Sequence, residues 1–173
     1  MVEKLKNILI IDDEHSIRAT LKEILEFEKY LVETAVDGIE GYKMAEENNF
    51  DLIFCDIKMP KIDGIETLKK IVENKILSPV VMISGHGDIE TAVQTLKIGA
   101  FDYIEKPLDL NRVLTCVRNA LDNIHLKKEN TILKKKIKSK SEIIGQSPVI
   151  KSIIELITKV ANSNVRVLIT GSN

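Results

Sequence analysis

Short apolar runs without alternation limit what this chain can fold into more than any other feature. Lys6–Ile11, Leu52–Cys55 and Pro79–Ser84 are rich in β-branched and other apolar residues and show no polar/apolar period of two. A strand with one wet face alternates, whereas a strand covered on both faces does not, and that is the habit of parallel sheets. Between the runs, apolar residues recur at helical spacing. Ile17, Leu21, Ile24 and Leu25 predict a helix over Ser16–Lys29. Met44 and Ala45 are inward positions of a second helix over Ile39–Asn48. Ile65, Leu68, Ile71 and Val72 mark a third, from about Ile62 to Glu73.

The remaining elements continue the pattern. Tyr30–Val36 reads as a second strand, followed by an Asp37-Gly38 turn. Ile89–Ile98 reads as a fourth helix closed by Gly99 in a C-cap role. Phe101–Ile104 is a fifth, short strand that Glu105-Lys106-Pro107 breaks, and Asp109 caps a helix beginning near Leu110. Strands alternating with helices in this way predict an α/β fold: a five-stranded parallel sheet with helices on both faces and right-handed crossovers. The expected strand order is 2-1-3-4-5.

In that order the C-terminal ends of strands one and three are neighbours, so Asp12, Asp13 and Asp56 are expected to meet there. Converging carboxylates repel, and a cation must offset the charge or the acids protonate. Hard oxygen ligands with room for water suit Mg2+. On their own, Asp12 and Asp13 read equally well as caps that complement the first helix dipole. Two further strand ends add to the acids: Ser84 closes strand four and Lys106 follows strand five. An acid, a metal-binding pair, a hydroxyl and an ammonium around one point fit an acyl phosphate. The metal and Lys106 would neutralise phosphoryl oxygens while Ser84 donates a hydrogen bond.

Composition narrows the partners. The formal net charge of the 173 residues is −1, which provides no field for nucleic acid or an anionic membrane. No apolar run reaches the roughly 18–20 residues of a membrane span, so no membrane association is expected. The N-terminus leads directly into a strand, so a cytoplasmic location without a signal peptide is expected. Cys55 and Cys116 sit in apolar segments and read as buried reduced thiols.

Taken together, residues 5 to 125 resemble the receiver domain of two-component response regulators. The residues carrying the resemblance are Asp12-Asp13, Asp56 with Met59-Pro60 and Asp63-Gly64, Ser84-Gly85-His86-Gly87, and Lys106-Pro107. The resemblance implies a flavodoxin-like receiver fold over residues 1–125. It implies that Asp56 accepts a phosphoryl group from a sensor histidine kinase, and that Asp12, Asp13, Asp56 and the Lys58 carbonyl surround Mg2+. It also implies that Ser84 and Lys106 contact the phosphoryl group, that Tyr103 is an aromatic switch, and that Lys106–Pro107 is a cis peptide. His86 reads as a loop residue close to the site. No turnover enzyme is expected beyond self-catalysed transfer and loss of the phosphoryl group. Phosphohydrolases on similar sheets carry a general-acid aspartate two residues after the nucleophile, where this chain has Lys58. A third reading is a phosphate-independent dimerisation module whose acids only bind metal.

Beyond the receiver, Leu110, Leu114, Val117, Leu121 and Ile124 form an expected apolar seam. The seam then changes phase to Leu126, Asn130, Leu133 and Ile137. The 4-3-4 spacing reads either as a short coiled coil or as a solvated charged linker helix over 126–140. Lys134, Lys135, Lys136, Lys138 and Lys140 read as a solvated face, because no aromatic residues interleave for nucleic acid. A helix over Val149–Val160 and a strand over Val165–Thr170 are expected next. Ile144-Gly145-Gln146-Ser147 and Val167–Gly171 resemble the N-terminal edge of the AAA+ ATPase domain in sigma-54-dependent activators. The whole wording resembles nitrogen-regulation (NtrC/NtrX-like) regulators. That resemblance implies a homodimer that controls assembly of a sigma-54-dependent activator. The expectation is a truncated chain, in which sigma-54 RNA polymerase and promoter DNA are reached only through missing domains.

Overall fold

The computed structural model describes residues 5–85 and 89–124, together with Leu126, Gly145, 147–161 and 166–168; at 125 and over 127–140 it describes the helix without side chains. β1 (Asn7–Ile11), β2 (Leu31–Ala35), β3 (Leu52–Asp56), β4 (Val80–Ser84) and β5 (Asp102–Glu105) form one parallel sheet, in the expected order β2-β1-β3-β4-β5. α1 (His15–Phe27), α2 (Gly38–Glu47), α3 (Gly64–Glu73), α4 (Ile89–Ile98) and α5 (Leu110–Lys140) alternate with the strands. Register aligns the strand ends: Ile11 pairs with Cys55, Asp56 with Ile83, and Ser84 with Glu105.

The unalternating runs are explained by burial on both faces. Ile8, Ile10, Leu52, Phe54, Val81 and Ile83 lie in one core with Leu21 and Leu25 of α1 and with Val113 and Val117 of α5. Leu9, Ile11, Ile53, Cys55, Val80 and Met82 lie in the other, with Ala45 of α2 and with Leu68 and Ile71 of α3. Successive side chains point to opposite faces of a sheet, so a strand that feeds two cores must be apolar throughout. β2 is one of the two edge strands and does alternate, with Leu31 half exposed.

Three expectations shift in detail. α3 begins at Gly64 rather than Ile62, because the Asp63 carboxylate accepts the Glu66 N–H at 2.7 Å and so caps the helix. Val72, one of the four apolar residues that mark α3, is exposed. The α5 seam is also shifted in part, with Val117 on it as expected. Val113, Cys116, Val117 and Ala120 are fully buried, Leu114 and Leu121 flank them, and Leu110 is exposed. Small side chains at Cys116 and Ala120 leave room for the helix to approach the sheet, and the leucines fill the space on either side.

The chain divides into two compact units, Met1–Leu126 and Lys127–Asn173. The second contains the end of α5 and α6 (Pro148–Val160). α6 starts where the Ser147 hydroxyl accepts the Ile150 N–H, with Pro148 in the first turn. Val149, Ile153, Ile154, Leu156 and Ile157 on it are exposed. Arg166–Leu168 are not in a strand, and among the described residues no neighbouring strand offers them a ladder. Asn130, Leu133 and Ile137 of the expected heptad seam, and the lysines of 134–140, lie outside the described side chains.

Candidate functional site

The C-terminal edge of the sheet collects the polar side chains. Asp12 follows β1, is fully buried, and extends the ladder by donating its N–H to the Ala35 carbonyl at 3.3 Å. Its Oδ1 accepts the Glu14 N–H at 2.8 Å, and its carbonyl accepts the Arg18 guanidinium at 2.6 Å. Asp56 ends β3 and is 3% exposed. The Lys58 N–H donates to its carboxylate. Lys106 follows β5, and its N–H donates to the Ser84 carbonyl at 2.7 Å, which sets where its side chain starts. The Lys106–Pro107 bond is cis.

From that root the Lys106 ammonium reaches three carboxylates. Nζ lies 2.9 Å from Asp56 Oδ1, 3.2 Å from Asp12 Oδ2 and 2.8 Å from Glu14 Oε1. Burial pushes the Asp56 and Asp12 carboxyls above their ordinary range, against the pull of the nearby ammonium. For Lys106 burial acts downward, but hydrogen bonds to Glu14 and Asp56 and the charges of Asp56 and Asp12 outweigh it. Lys106 is therefore held protonated. One ammonium against three carboxylates leaves the pocket short of positive charge when all are ionised.

Asp12 Oδ2 shows how the shortfall is distributed. It is buried and accepts no hydrogen bond, although Lys106 stands 3.2 Å away. That contact is a charge contact without hydrogen-bond alignment. A buried carboxylate oxygen lacking a donor, beside a second buried carboxylate, fits a hard divalent cation such as Mg2+. Asp13, expected beside them, follows Asp12 and is exposed, and among the described residues no three carboxylate, histidine or cysteine side chains are arranged to hold a metal ion by themselves. The three-acid cluster is here two buried acids bridged by Lys106, because the ammonium already occupies the ground between them.

Ser84 is buried at the end of β4, beside the root of Lys106. Tyr103 on β5 is half buried and packs on the core shared with Met82. His86 and Gly87 lie outside the described residues. Cys55 and Cys116 are buried free thiols; burial raises both, Cys116 to about 12, so neither is reactive. Glu14 and Arg18 were not singled out as site residues by the sequence. The available signal was Glu14 directly after the Asp12-Asp13 pair, with Arg18 one helical turn beyond it. Gly64 is also part of the site. Its N–H donates to the Ile57 carbonyl at 2.9 Å, and a β-carbon there would collide with the Asp56 carbonyl oxygen.

Comparison with known families decides what this edge belongs to. The family model described as the response regulator receiver domain matches residues 8–118. The chain belongs to the response-regulator receiver family. This chain is 38% identical over 167 residues to the nitrogen assimilation regulatory protein NtrX of Azorhizobium caulinodans, covering 95% of this chain and 37% of that one. A CheY-like receiver structure from Methanospirillum hungatei is 36% identical with a TM-score of 0.69, covering 72% of this chain and 99% of its own. NtrX from Brucella abortus is 35% identical with a TM-score of 0.71, covering 92% of this chain and 36% of its own. The chain thus spans about a third of the length of the curated relatives it matches. It is a receiver of NtrX/NtrC type. No described helix is long and apolar enough to cross a membrane.

Proposed function

We propose that Asp56 is the phosphoacceptor of a two-component signalling switch. The observation that carries this reading is the Lys106 ammonium, held between buried Asp56 and buried Asp12 at a sheet edge that also bears Ser84. The Asp56 carboxylate attacks the phosphorus of a phosphohistidine on a sensor histidine kinase. A P–O bond forms, the P–N bond breaks, and the imidazole leaves. Asp12, Asp13, Asp56 and the Lys58 carbonyl would hold Mg2+, which supplies neutralisation of phosphoryl charge, and receiver domains generally bind Mg2+ at this position. Lys106 exchanges a carboxylate oxygen for a phosphoryl oxygen at little cost, since its ammonium is already desolvated there. The Ser84 hydroxyl donates to another phosphoryl oxygen, and Tyr103 follows it inward.

The readout surface is α4, β5 and α5. α4 carries Ile89, Val93 and Leu96 exposed along one face, an apolar stripe suited to a partner. We read residues 126–140 as a linker helix and 141–173 as the start of a sigma-54-type AAA+ domain. The switch biases homodimerisation and so the assembly of a sigma-54-dependent activator in the cytoplasm. Contacts with sigma-54 RNA polymerase and promoter DNA belong to segments found in the longer relatives. The receiver takes up and loses its own phosphoryl group and turns over no other substrate. Incubation with acetyl phosphate and Mg2+ is expected to add one phosphoryl group to the native chain and none to Asp56→Asn, read by intact mass. Equal uptake by both would sink the proposal. Beryllofluoride is expected to raise the dimer fraction by sedimentation; no change would leave a phosphate-independent module.

A further inference from the structure

The segment between β3 and α3 carries Lys58, yet sequence reasoning gave its other lysine no role. Lys61 sits in the left-handed region at φ 69°, a conformation that glycine adopts far more readily than lysine. Its ammonium reaches across to Asp37, 2.5 Å from Oδ2. Asp37 is itself buried and fixed: its other oxygen accepts the Ile39 and Glu40 N–H groups at the start of α2. A second, independent contact joins the same two segments. A β-carbon on Gly38 would meet Ile62 O at 2.8 Å and collide with Thr67 Oγ1, so the start of α2 lies directly on this loop.

The strand order explains why such a tie matters. Asp37 lies beyond β2 and Lys61 beyond β3, with Asp12 and Asp13 beyond β1 between them. Lys106 approaches the acids from the β5 side, and the Asp37–Lys61 pair spans them from the β2 side. An ion pair with one exposed partner adds little to stability. What the pair contributes is therefore geometric: it ties the β3–α3 loop to the start of α2, which Gly38 already packs against that loop. We propose that Lys61 and Asp37 form a clamp that holds the β3–α3 loop, and with it the Lys58 carbonyl, in position for a divalent cation. Lys61 is a positioning residue, and the inference rests on the proposed metal site at Asp12 and Asp56.

Lys61→Gly separates the clamp from ordinary stabilisation, because it relieves backbone strain while removing the tie. Calorimetric Mg2+ titration of the full chain is expected to show about tenfold weaker binding in Lys61→Gly, the order lost when a residue supporting a ligand is removed. The melting temperature of the metal-free variant is expected to stay level or rise. Lys61→Arg is expected to restore binding to within about twofold by keeping the cation. Amides of 57–62 should exchange faster in metal-free Lys61→Gly than in the native chain. Unchanged Mg2+ affinity, or unchanged loop exchange, would overturn the clamp and leave the phosphoacceptor proposal standing. A native chain that binds no Mg2+ while its loop amides still respond to Lys61→Gly would overturn the metal site instead, and with it the clamp's purpose.

Discussion

Gly64→Ala is expected to destabilise the receiver by about 2–3 kcal/mol, the upper range for forcing a carbon into a packed site. Two effects oppose one another at this position. Alanine gains up to about 1 kcal/mol over glycine within a helix. Against that, the new methyl meets the Asp56 carbonyl oxygen, a backbone atom tied into the sheet that no side-chain rotation can move aside. The collision wins because it is removed only by shifting β3 or the start of α3. The shift should lower the urea midpoint without changing the slope, since the surface exposed on unfolding is the same. It should also slow phosphoryl uptake, because the residue displaced is the proposed acceptor. An alanine variant as stable as the native chain would show that the close approach is not a constraint.

Lys106→Ala is the second large effect, and its pH dependence carries the information. Removing one member of a buried ion pair costs about 3 kcal/mol or more, because the partner charges stay buried and unpaired. Burial already raises the folded Asp56 and Asp12 carboxyls above their ordinary values, and without the ammonium they rise further. A folded carboxyl with a raised value holds its proton longer than the unfolded chain does. Stability therefore falls as pH climbs from the ordinary carboxylate range through the raised folded values, and levels off above them. Thermal melts should show Lys106→Ala closer to the native chain at pH 5 than at pH 7.5. In the native chain Lys106 itself is raised, so its contribution is present throughout this range and is lost only in alkali. If Mg2+ occupies the acids, it should return part of the lost stability at pH 7.5, by about 2.7 kcal/mol at a hundredfold excess over its dissociation constant. An equal deficit at both pH values would mean that Lys106 does not balance buried carboxylates.

Much of this edge was legible in the sequence because it depends on where strands stop. Unalternating runs marked which segments were buried strands, and the doubly wound arrangement expected for such a sheet supplied their order. Those two facts alone bring Asp12, Asp56, Ser84 and Lys106 to one end of the sheet. What depends on pairing between distant side chains was not legible. Nothing local in Glu14 says that Lys106 will reach it, and nothing in Lys61 points to Asp37. The α5 seam was read in part: Val117 is buried and Leu114 and Leu121 pack on the core as expected, but Val113, Cys116 and Ala120 recur at the same helical spacing and are buried more deeply than the leucines. Which stripe turns inward is decided by how closely the helix approaches the sheet. Adjacency also did not tell that Asp12 would be buried and Asp13 exposed, since consecutive residues after a strand need not share a face.

The central claim concerns one oxygen of one side chain, and chemical trapping reads it directly. After incubation with acetyl phosphate and Mg2+, borohydride reduces an aspartyl phosphate to homoserine, which peptide mapping locates by sequence. The account predicts homoserine at position 56 and at no other carboxylate. Reduction at position 12 or 13, or none anywhere after phosphoryl uptake, would contradict it.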